Sequence, residues 1–341
     1  LGDELDSPRG RIYLIKSAVE GGDFSGKSLT HLDRCLTCRS CETTCPSGVE
    51  YAQLLDIGRE LVEQKRRLWQ KIYRYFVRKI LTNPLLFNPI GRVFRHSKIS
   101  QSKPERPSKN SAKVLLLGGC VQPVLAPNIN HSIKNILAKL GFEAIETGQK
   151  QCCGAVDAHL SANLDALKKV KSNIDAWLKI DCECIISSAS GCGVMVKDYP
   201  NLFDEADIYH KKAQQIAAKT QDIAEFLADK DLSALKSQPA NISYHEPCTL
   251  QHGQKLGGLV ESLLQKLGYQ PAPVKDAHLC CGSAGTYSIF QPKLSKQLQA
   301  NKLKNLQSSQ PEIIVTANIG CLMHLQKGTK IPVKHWVELL D

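Results

Sequence analysis

From residue 113 onward, short apolar runs alternate with longer stretches in which apolar residues recur every three or four positions. The runs stand at 114–117, 185–186, 242–244 and 313–315, and most of their residues are valine, isoleucine or leucine. Runs of this length predict buried β-strands, whereas recurrence every three or four positions predicts amphipathic helices. The alternation of the two therefore predicts α/β units with parallel sheets.

The alternating pattern occurs twice, and each copy carries cysteines at the same intervals. The first copy has the spacing C-x31-CC-x38-C, and the second has the spacing C-x31-CC-x39-C. Agreement to within one residue over about eighty residues indicates an internal repeat. We therefore predict two repeated α/β domains, at 113–238 and 239–341, with cysteines just after the strands, where α/β sheets place their ligand crevice.

The chain before residue 113 is predicted to be helical. Apolar residues at helical spacing predict a short helix that ends at Gly21-Gly22 and a long helix from about Val49 to Leu81. Segment 97–112 is rich in serine, lysine and proline without periodicity, which predicts a linker. The predicted fold class is α+β multidomain, with a helical region at 1–64, a basic helical segment at 65–96, the linker and two α/β repeats.

In the basic segment, apolar and basic residues occupy largely opposite sides of the predicted helix. The apolar stripe consists of Leu68, Trp69, Ile72, Tyr73, Phe76, Val77 and Ile80, and the basic side consists of Lys71, Arg74, Arg78 and Lys79. Such a pattern is typical of a helix that lies in a membrane interface. It also suits a helix that packs on its own domain or on a partner subunit.

The net charge is concentrated in the same part of the chain. The protein has 341 residues and a formal net charge of +11, but residues 65–113 contain fourteen Lys or Arg and one acid, which gives 14 − 1 = +13. The remainder is slightly acidic, at 11 − 13 = −2. One electropositive surface argues against a general nucleic-acid binder. No stretch of eighteen uncharged apolar residues occurs, so no membrane-spanning helix is predicted.

The motif with the strongest chemical signal is Cys35-x2-Cys38-x2-Cys41-x3-Cys45-Pro46. This is the bacterial ferredoxin spacing, in which three thiolates from one loop hold three corners of a 4Fe-4S cube. Zinc sites pair their ligands as two separated C-x2-C units, so zinc or four unrelated thiols are the weaker interpretations. With fourteen cysteines in the chain, the spacing indicates clusters in a reducing cytoplasm and not disulfides.

A two-cluster ferredoxin domain has two such runs, and the fourth cysteine of each run ligates the other cube. This sequence has one run and begins at Leu1, without an initiator methionine. Either Cys45 serves the local cube, or the chain is a fragment that lacks an earlier run. The residues before the motif favour a fragment.

The repeated cysteines form two candidate sets of metal ligands, which are Cys120, Cys152, Cys153 and Cys192, and then Cys248, Cys280, Cys281 and Cys321. Four soft ligands on three loops suit an iron–sulfur cluster. Structural zinc, redox-active thiols and buried cysteines without a metal remain alternatives. Cys182 and Cys184 have no counterpart in the second copy and are interpreted as structural.

Four histidines surround the second set of cysteines. His324 is the strongest candidate ligand among them because it completes Cys321-x2-His324, whereas the first copy has Met195 at this position. His245, His252 and His278 are interpreted as surface or core histidines. No phosphate-binding loop and no nucleophile–base arrangement stands out, so no site for organic chemistry is predicted on this chain.

These motifs resemble those of the iron–sulfur subunits of bacterial glycolate oxidase. The resemblance rests on residues 31–48, Cys152-Cys153-Gly154, Ser190-Gly-Cys192-Gly, residues 279–286 and residues 316–321, and it covers essentially the whole chain. The paired repeats resemble the cysteine-rich CCG domains that are shared with heterodisulfide reductase and an anaerobic glycerol-3-phosphate dehydrogenase subunit. The full CCG pattern ends in C-x2-C, from which Met195 and His324 both depart.

The resemblance implies an electron-transfer subunit that carries two 4Fe-4S clusters in the intact protein and further clusters at the CCG sites. Cys35, Cys38 and Cys41 would hold one cube, and Cys45 would serve a cube whose other ligands precede Leu1. FAD would reside on partner subunits that oxidise glycolate, and D-lactate as well, and electrons would pass to a membrane quinone. The chain would lie in the cytoplasm, peripheral on the inner membrane.

Two alternatives follow from the same residues. The relay could serve glycerol-3-phosphate or another 2-hydroxy acid, which partner identification and dye reduction with each substrate would decide. In a different class, the chain would be a thiol–disulfide reductase that acts at the CCG cysteines, or a zinc-stabilised scaffold. A scaffold would contain zinc without labile sulfide, and a disulfide reductase would turn over without a flavoprotein.

Overall fold

Two parallel β-sheets form the centre of the protein, as seen in a computed structural model. The structure describes residues 2–22, 26–96, 111–147, 152–235 and 240–341. Most of the predicted linker, residues 97–110, lies outside this part of the chain. The mixture of helices and parallel strands agrees with the predicted α+β class.

The first repeat is a four-stranded parallel sheet in the order β2-β1-β3-β4. Its elements are β1 (Ala112–Leu116), β2 (Phe142–Ile145), β3 (Ile185–Ser187) and β4 (Thr220–Asp222). The α-helices described before the first repeat are α1 (Pro8–Val19), α2 (Gly26–Asp33), α3 (Ser40–Thr44), α4 (Tyr51–Lys65), α5 (Leu68–Thr82) and α6 (Pro84–Val93). The helices of the first repeat are α7 (Gln122–Leu125), α8 (Pro127–Lys139), α9 (Ala155–His159), α10 (Asn163–Trp177), α11 (Ser190–Lys197), α12 (Ile208–Lys219) and α13 (Ile223–Ala228).

The second repeat has the same strand order. Its strands β5 (Ile242–His245), β6 (Ile313–Thr316) and β7 (Val333–His335) are parallel in the order β5-β6-β7, and a bridge from Ser243 to Ala272 continues the sheet beyond β5. The helices are α14 (Leu259–Lys266), α15 (Tyr287–Phe290), α16 (Pro292–Leu306) and α17 (Ile319–Gln326). Both copies end in a strand followed by a capping box, at Asp222 in the first and at His335 in the second.

The two repeats share one hydrophobic core. A single cluster of buried side chains contains residues of both copies, among them Ile133, Ile186, Ile314 and Trp336. Buried hydrogen bonds cross the same boundary, since His335 Nε2 lies 2.9 Å from the Ser188 carbonyl oxygen. The repeats therefore pack as one unit, which fixes the relative position of their strand ends.

The N-terminal helices pack around a small core of their own, which includes Ile15, Leu32, Leu55 and Val62. The prediction of one long helix at 49–81 is wrong, because the structure has two helices, α4 and α5, with extended backbone at Arg66 and Arg67 between them. The Arg66 guanidinium is buried and donates to both Asp33 oxygens, at 2.8 and 2.9 Å. This ion pair holds the chain where it turns, and no proline or glycine marks the turn in the sequence.

Helix α5 faces the protein with its basic side. Arg78 is buried and forms ion pairs with Asp157, at 2.8 Å, and with Asp165, so it anchors α5 to the first repeat. Arg74 lies over the ring of Phe290 in the second repeat, 4.9 Å from its centroid. The apolar stripe of α5 is therefore left on the surface.

Asp222 provides a test of the contact between the repeats. Its buried carboxylate accepts hydrogen bonds from the Ala224 amide, at 3.0 Å, and from Gln254 of the second repeat, at 3.2 Å. Burial raises the pKa of Asp222 from 3.8 to about 7. Between these pH values the folded state binds more protons than the unfolded state, so the free energy of unfolding falls as pH rises.

We expect Asp222→Asn to remove this pH dependence, because asparagine keeps the helix cap without the ionisable group. The thermal midpoint of the variant, relative to the wild-type protein, should therefore rise between about pH 5 and about pH 8. Thermal unfolding under anaerobic conditions at both pH values measures the difference. If the thermal midpoints of the variant and the wild-type protein differ by the same amount at both pH values, this account of Asp222 is contradicted.

Candidate metal centres

A cavity of about 500 Å³ lies where the N-terminal helices and both repeats meet. Its lining includes cysteines from all three parts, which are Cys35, Cys38, Cys120, Cys152, Cys153, Cys192, Cys248, Cys280 and Cys321. The strands of each repeat direct their carboxyl ends toward this cavity, because the loops that follow β1, β3, β5 and β6 contribute to its lining. Parallel sheets place their ligand sites at this edge.

In the first repeat, three loops bring four sulfurs together. Cys120 follows β1, Cys152 and Cys153 precede α9, and Cys192 lies in the first turn of α11. The Cys120 thiol and the Cys153 thiol both donate a hydrogen bond to the Cys152 sulfur. These bonds, of which that from Cys120 has the larger effect, lower the pKa of Cys152 to about 3. The same contacts and burial raise the pKa values of Cys120 and Cys153. One thiolate is thus stabilised among buried thiols, which is the form that binds metals.

The second repeat has the same arrangement of four sulfurs, which belong to Cys248, Cys280, Cys281 and Cys321. The Cys248 and Cys281 thiols lower the pKa of Cys280, and the Cys281 thiol lowers that of Cys321 to about 6. Cys321 lies in the first turn of α17, as Cys192 does in α11. The structure therefore brings each predicted set of four cysteines together.

His245, which the sequence pattern does not favour as a ligand, also lies at the second set of cysteines. His245 is 1% exposed, and its ring lies within 4.8 Å of the sulfurs of Cys281 and Cys321. His324 lines the cavity, and its Nε2 atom lies 3.3 Å from the Ser295 hydroxyl. His245 ends strand β5 and precedes Cys248 by three residues, and this position at a strand end was the available signal in the sequence.

The ferredoxin-type loop lies between the two repeats. Burial raises the pKa of Cys38 to about 11, and the nearby thiolates of Cys280, Cys35 and Cys41 add to the rise. Cys38 is therefore close to the second repeat. Cys45 follows α3, where backbone N–H groups, led by that of Val49, lower its pKa, and none of these sulfurs contributes to the shift.

Polar contacts hold this loop in place on both sides. Arg39 forms an ion pair with Asp198 of the first repeat, and Thr43 Oγ1 lies 2.8 Å from Nδ1 of His252 in the second. Arg59 of α4 donates to the carbonyl oxygen of Cys35, at 3.0 Å. These contacts position the loop between the two sets of repeated cysteines.

The donor atoms suit iron–sulfur clusters. Soft thiolates from several loops converge in buried surroundings at each set, and this is the ligand chemistry that such clusters require. At the second set, the ring nitrogens of His245 have no oxygen or nitrogen partner within the described residues, although the ring is buried, and the Cys321 sulfur lies beside them. Donors that are buried together with only one another as partners fit a bound metal group.

Comparison with known proteins agrees with the architecture. A family model described as "Cysteine-rich domain", abbreviated CCG, matches residues 114–197 and 242–326. Each range lies within one of the two repeats, and their fold and thiol sets define a protein with paired CCG domains. The family model does not extend to the ferredoxin-type region, which stays a prediction.

Relatives extend the match to the full chain. The glycolate oxidase iron–sulfur subunit of Escherichia coli (strain K12) is 44% identical over 361 residues, covering 100% of this chain and 89% of that protein. A probable glycolate oxidase iron–sulfur subunit of Bacillus subtilis (strain 168) is 25% identical over 99% of this chain and 88% of that protein. Lactate utilization protein A of an Exiguobacterium species is 29% identical over 67% of this chain and 96% of that protein.

The chain belongs to the family of glycolate oxidase iron–sulfur subunits. The resemblance noted in the sequence is thereby confirmed. The ligand assignments of individual cysteines are not tested by these comparisons.

The glycine of each CCG motif offers a test of the thiol geometry. Gly154 and Gly282 both have left-handed backbone, with φ of 91° and 90°. Alanine at either position would be strained by about 1–3 kcal/mol. A Cβ atom at Gly282 would also lie 2.5 Å from the Ser295 carbonyl oxygen, whereas at Gly154 the nearest atom, Val170 Cγ2, lies at 3.3 Å.

We therefore expect Gly282→Ala to lose more thermal stability, and more iron per chain, than its matched variant Gly154→Ala. Thermal midpoints and iron and labile-sulfide content of both anaerobically purified variants measure this. Equal losses in the two variants would show that the backbone contact at Ser295 does not determine the geometry of the second set.

Proposed function

We propose that this chain is the electron-transfer subunit of a dehydrogenase complex that oxidises glycolate, and D-lactate as well. The observation that carries the proposal is the convergence of three cysteine sets on one cavity. Oxidation of the substrate would take place at FAD on partner flavoprotein subunits, not on this chain. The names of the relatives, which mention both glycolate oxidase and lactate utilization, support this substrate class.

Cys35, Cys38 and Cys41 are proposed to hold three corners of a 4Fe-4S cluster. Cys45 is proposed to serve a second cube, which is supported by the absence of any neighbouring thiol among the causes that shift its pKa, in contrast to Cys38 and Cys41. The four cysteines of each repeat are proposed to hold further clusters. Their converging sulfurs, most of them on buried residues, support this assignment over isolated structural thiols.

Such a relay has a clear chemical role. A flavin releases two electrons from one substrate molecule, whereas an iron–sulfur cluster accepts one at a time, so clusters must carry the electrons away in sequence. The protein contributes the positions of the clusters and the hydrogen bonds that tune them. The proximity of Cys38 to Cys280 supports a route from the ferredoxin-type loop to the second repeat.

We also propose that the chain is peripheral on the cytoplasmic face of the inner membrane, where it meets the quinone. None of the described helices is long and apolar enough to cross a membrane. The face formed by α5 and α6 exposes large apolar side chains, which are Leu68, Trp69, Ile72, Tyr73, Phe76, Leu85, Leu86, Ile90, Val93 and Phe94. Aromatic and aliphatic side chains on one surface suit an interfacial membrane contact.

Replacing a proposed ligand tests the relay. We expect Cys38→Ser to lose the electron paramagnetic resonance signal of one reduced cluster and to lower quinone reduction by glycolate by at least about tenfold in the assembled complex. Flavin reduction by glycolate should persist, because the substrate reacts on another subunit. Stopped-flow absorbance of the flavin and of a quinone analogue separates the two steps.

Cys182→Ser is the matched control for this experiment, because Cys182 is buried but does not line the cavity. It should keep every cluster signal and the wild-type rate. Quinone reduction at the wild-type rate by Cys38→Ser would overturn the proposal. Disulfide reduction by the isolated chain, or zinc without labile sulfide, would favour the alternative functions.

The membrane contact makes a separate prediction. Trp69 and Phe76 are 62% and 58% exposed on the α5–α6 face. Changing both to serine should weaken binding to lipid vesicles by at least about tenfold, because two aromatic side chains no longer enter the interface. Since Arg74 and Arg78 face the protein, anionic lipid should strengthen binding only modestly.

Co-sedimentation with vesicles of neutral phosphatidylcholine and with vesicles that contain anionic phosphatidylglycerol measures both effects. Ile208→Ser, at a 70% exposed position on α12, serves as the control and should bind as the wild-type protein does. Equal binding by the double variant and this control would assign the α5–α6 face to a partner subunit instead.

A further inference from the structure

His245 is a buried polar group that the cysteine pattern leaves unexplained. It lies at the end of β5 and is 1% exposed, and its ring nitrogens have no oxygen or nitrogen partner in the part of the chain described, only the Cys321 sulfur beside them. Burying an imidazole whose polar neighbours are only sulfur atoms is unfavourable, because sulfur is a weak hydrogen-bond partner. A buried group of this kind therefore calls for a ligand that the protein residues do not supply.

The surroundings of the ring indicate what that ligand is. His245, Cys281 and Cys321 each present a ligand atom, and these three atoms lie within 4.8 Å of one another. All three residues are buried, so water competes poorly for the site. One imidazole nitrogen beside two thiol sulfurs is a donor set for a borderline or soft metal such as iron or zinc.

Among the described residues, the first repeat has no nitrogen donor that corresponds to His245. Aligning the copies on Cys120 and Cys248 places Leu117 at the position of His245, because each residue stands three before its cysteine. Leucine cannot bind a metal, and the donors gathered in the first set are all sulfur. The two repeats thus have the same fold but different sets of donor atoms.

His324, which the sequence pattern favours as a ligand, is placed differently. Its Nε2 atom already has a neighbour in the Ser295 hydroxyl, at 3.3 Å, and it does not belong to the group formed by His245, Cys281 and Cys321. The structure therefore separates the two histidines, because His245 lies among the sulfurs and His324 lies against a hydroxyl.

We propose that a ring nitrogen of His245 is a metal ligand, which makes the second repeat a mixed cysteine–histidine centre while the first repeat is bound by sulfur alone. That the metal is iron within a cluster rests on the proposed function. Imidazole is neutral where thiolate is anionic, so it raises the reduction potential of a cluster that it ligates. The centre of the second repeat would then be the stronger electron acceptor of the two.

The test uses the full chain, purified anaerobically with its native metal and with ¹⁵N-labelled histidine. Pulsed electron paramagnetic resonance of the dithionite-reduced protein should show a directly coupled histidine nitrogen. His245→Leu, which introduces the residue of the first repeat, should abolish this coupling. His324→Gln, the matched control, should retain it.

A second variant keeps the test valid if His245→Leu loses its metal. His245→Cys should retain the metal in the second repeat, lack the nitrogen coupling and titrate at a lower potential than the wild-type centre. Far-ultraviolet circular dichroism and the signal of the cluster at Cys35, Cys38 and Cys41 verify that each variant is folded.

The outcomes for the two proposals can be told apart. Nitrogen coupling that persists in His245→Leu, or a second repeat that binds no metal in the wild-type protein, would overturn the assignment of His245. If the second repeat holds zinc, X-ray absorption should show one nitrogen ligand that His245→Leu removes. That result would support His245 as a ligand and would refute an iron relay through this repeat.

Discussion

The structure depends on the parallel direction of its strands, because this direction determines where the sulfurs lie. In each repeat the carboxyl ends of neighbouring strands meet at one edge, and the loops that leave this edge carry the cysteines. The shared core fixes the two sheets relative to each other, so that both edges face one cavity. Two sets of buried thiols are thereby held close together without any disulfide among the described cysteines.

Ion pairs complete the arrangement, because the N-terminal helices have only a small core of their own. Arg39 and Arg78 reach Asp198 and Asp157 of the first repeat, so the ferredoxin-type loop and α5 are both tied to it. These pairs are largely removed from water, and breaking one would leave a charge without compensation, which is strongly destabilising. The basic residues that dominate the net charge of this region therefore serve in part to position it on the repeats.

The repeats and their cysteine sets could be predicted from sequence, because spacing alone encodes which loops are equivalent. Other features could not be predicted, because they depend on distant residues. The break after α4 is set by the pairing of Arg66 with Asp33, and the orientation of α5 is set by acids almost ninety residues away, such as Asp165. Periodicity shows that a helix has two sides, but it does not show which side faces the protein.

The histidines illustrate the same limit and lead to the main asymmetry of the molecule. His324 has the familiar spacing from a cysteine, whereas His245 is brought to the sulfurs by the strand that carries it, and only the folded chain shows this. Two copies of one fold thus differ at the same position, where the second has the nitrogen donor His245 and the first has Leu117, which has no donor atom. Since donor charge is a principal determinant of cluster potential, clusters bound at the two sets as proposed would differ in potential, and electrons moving between them would have a preferred direction.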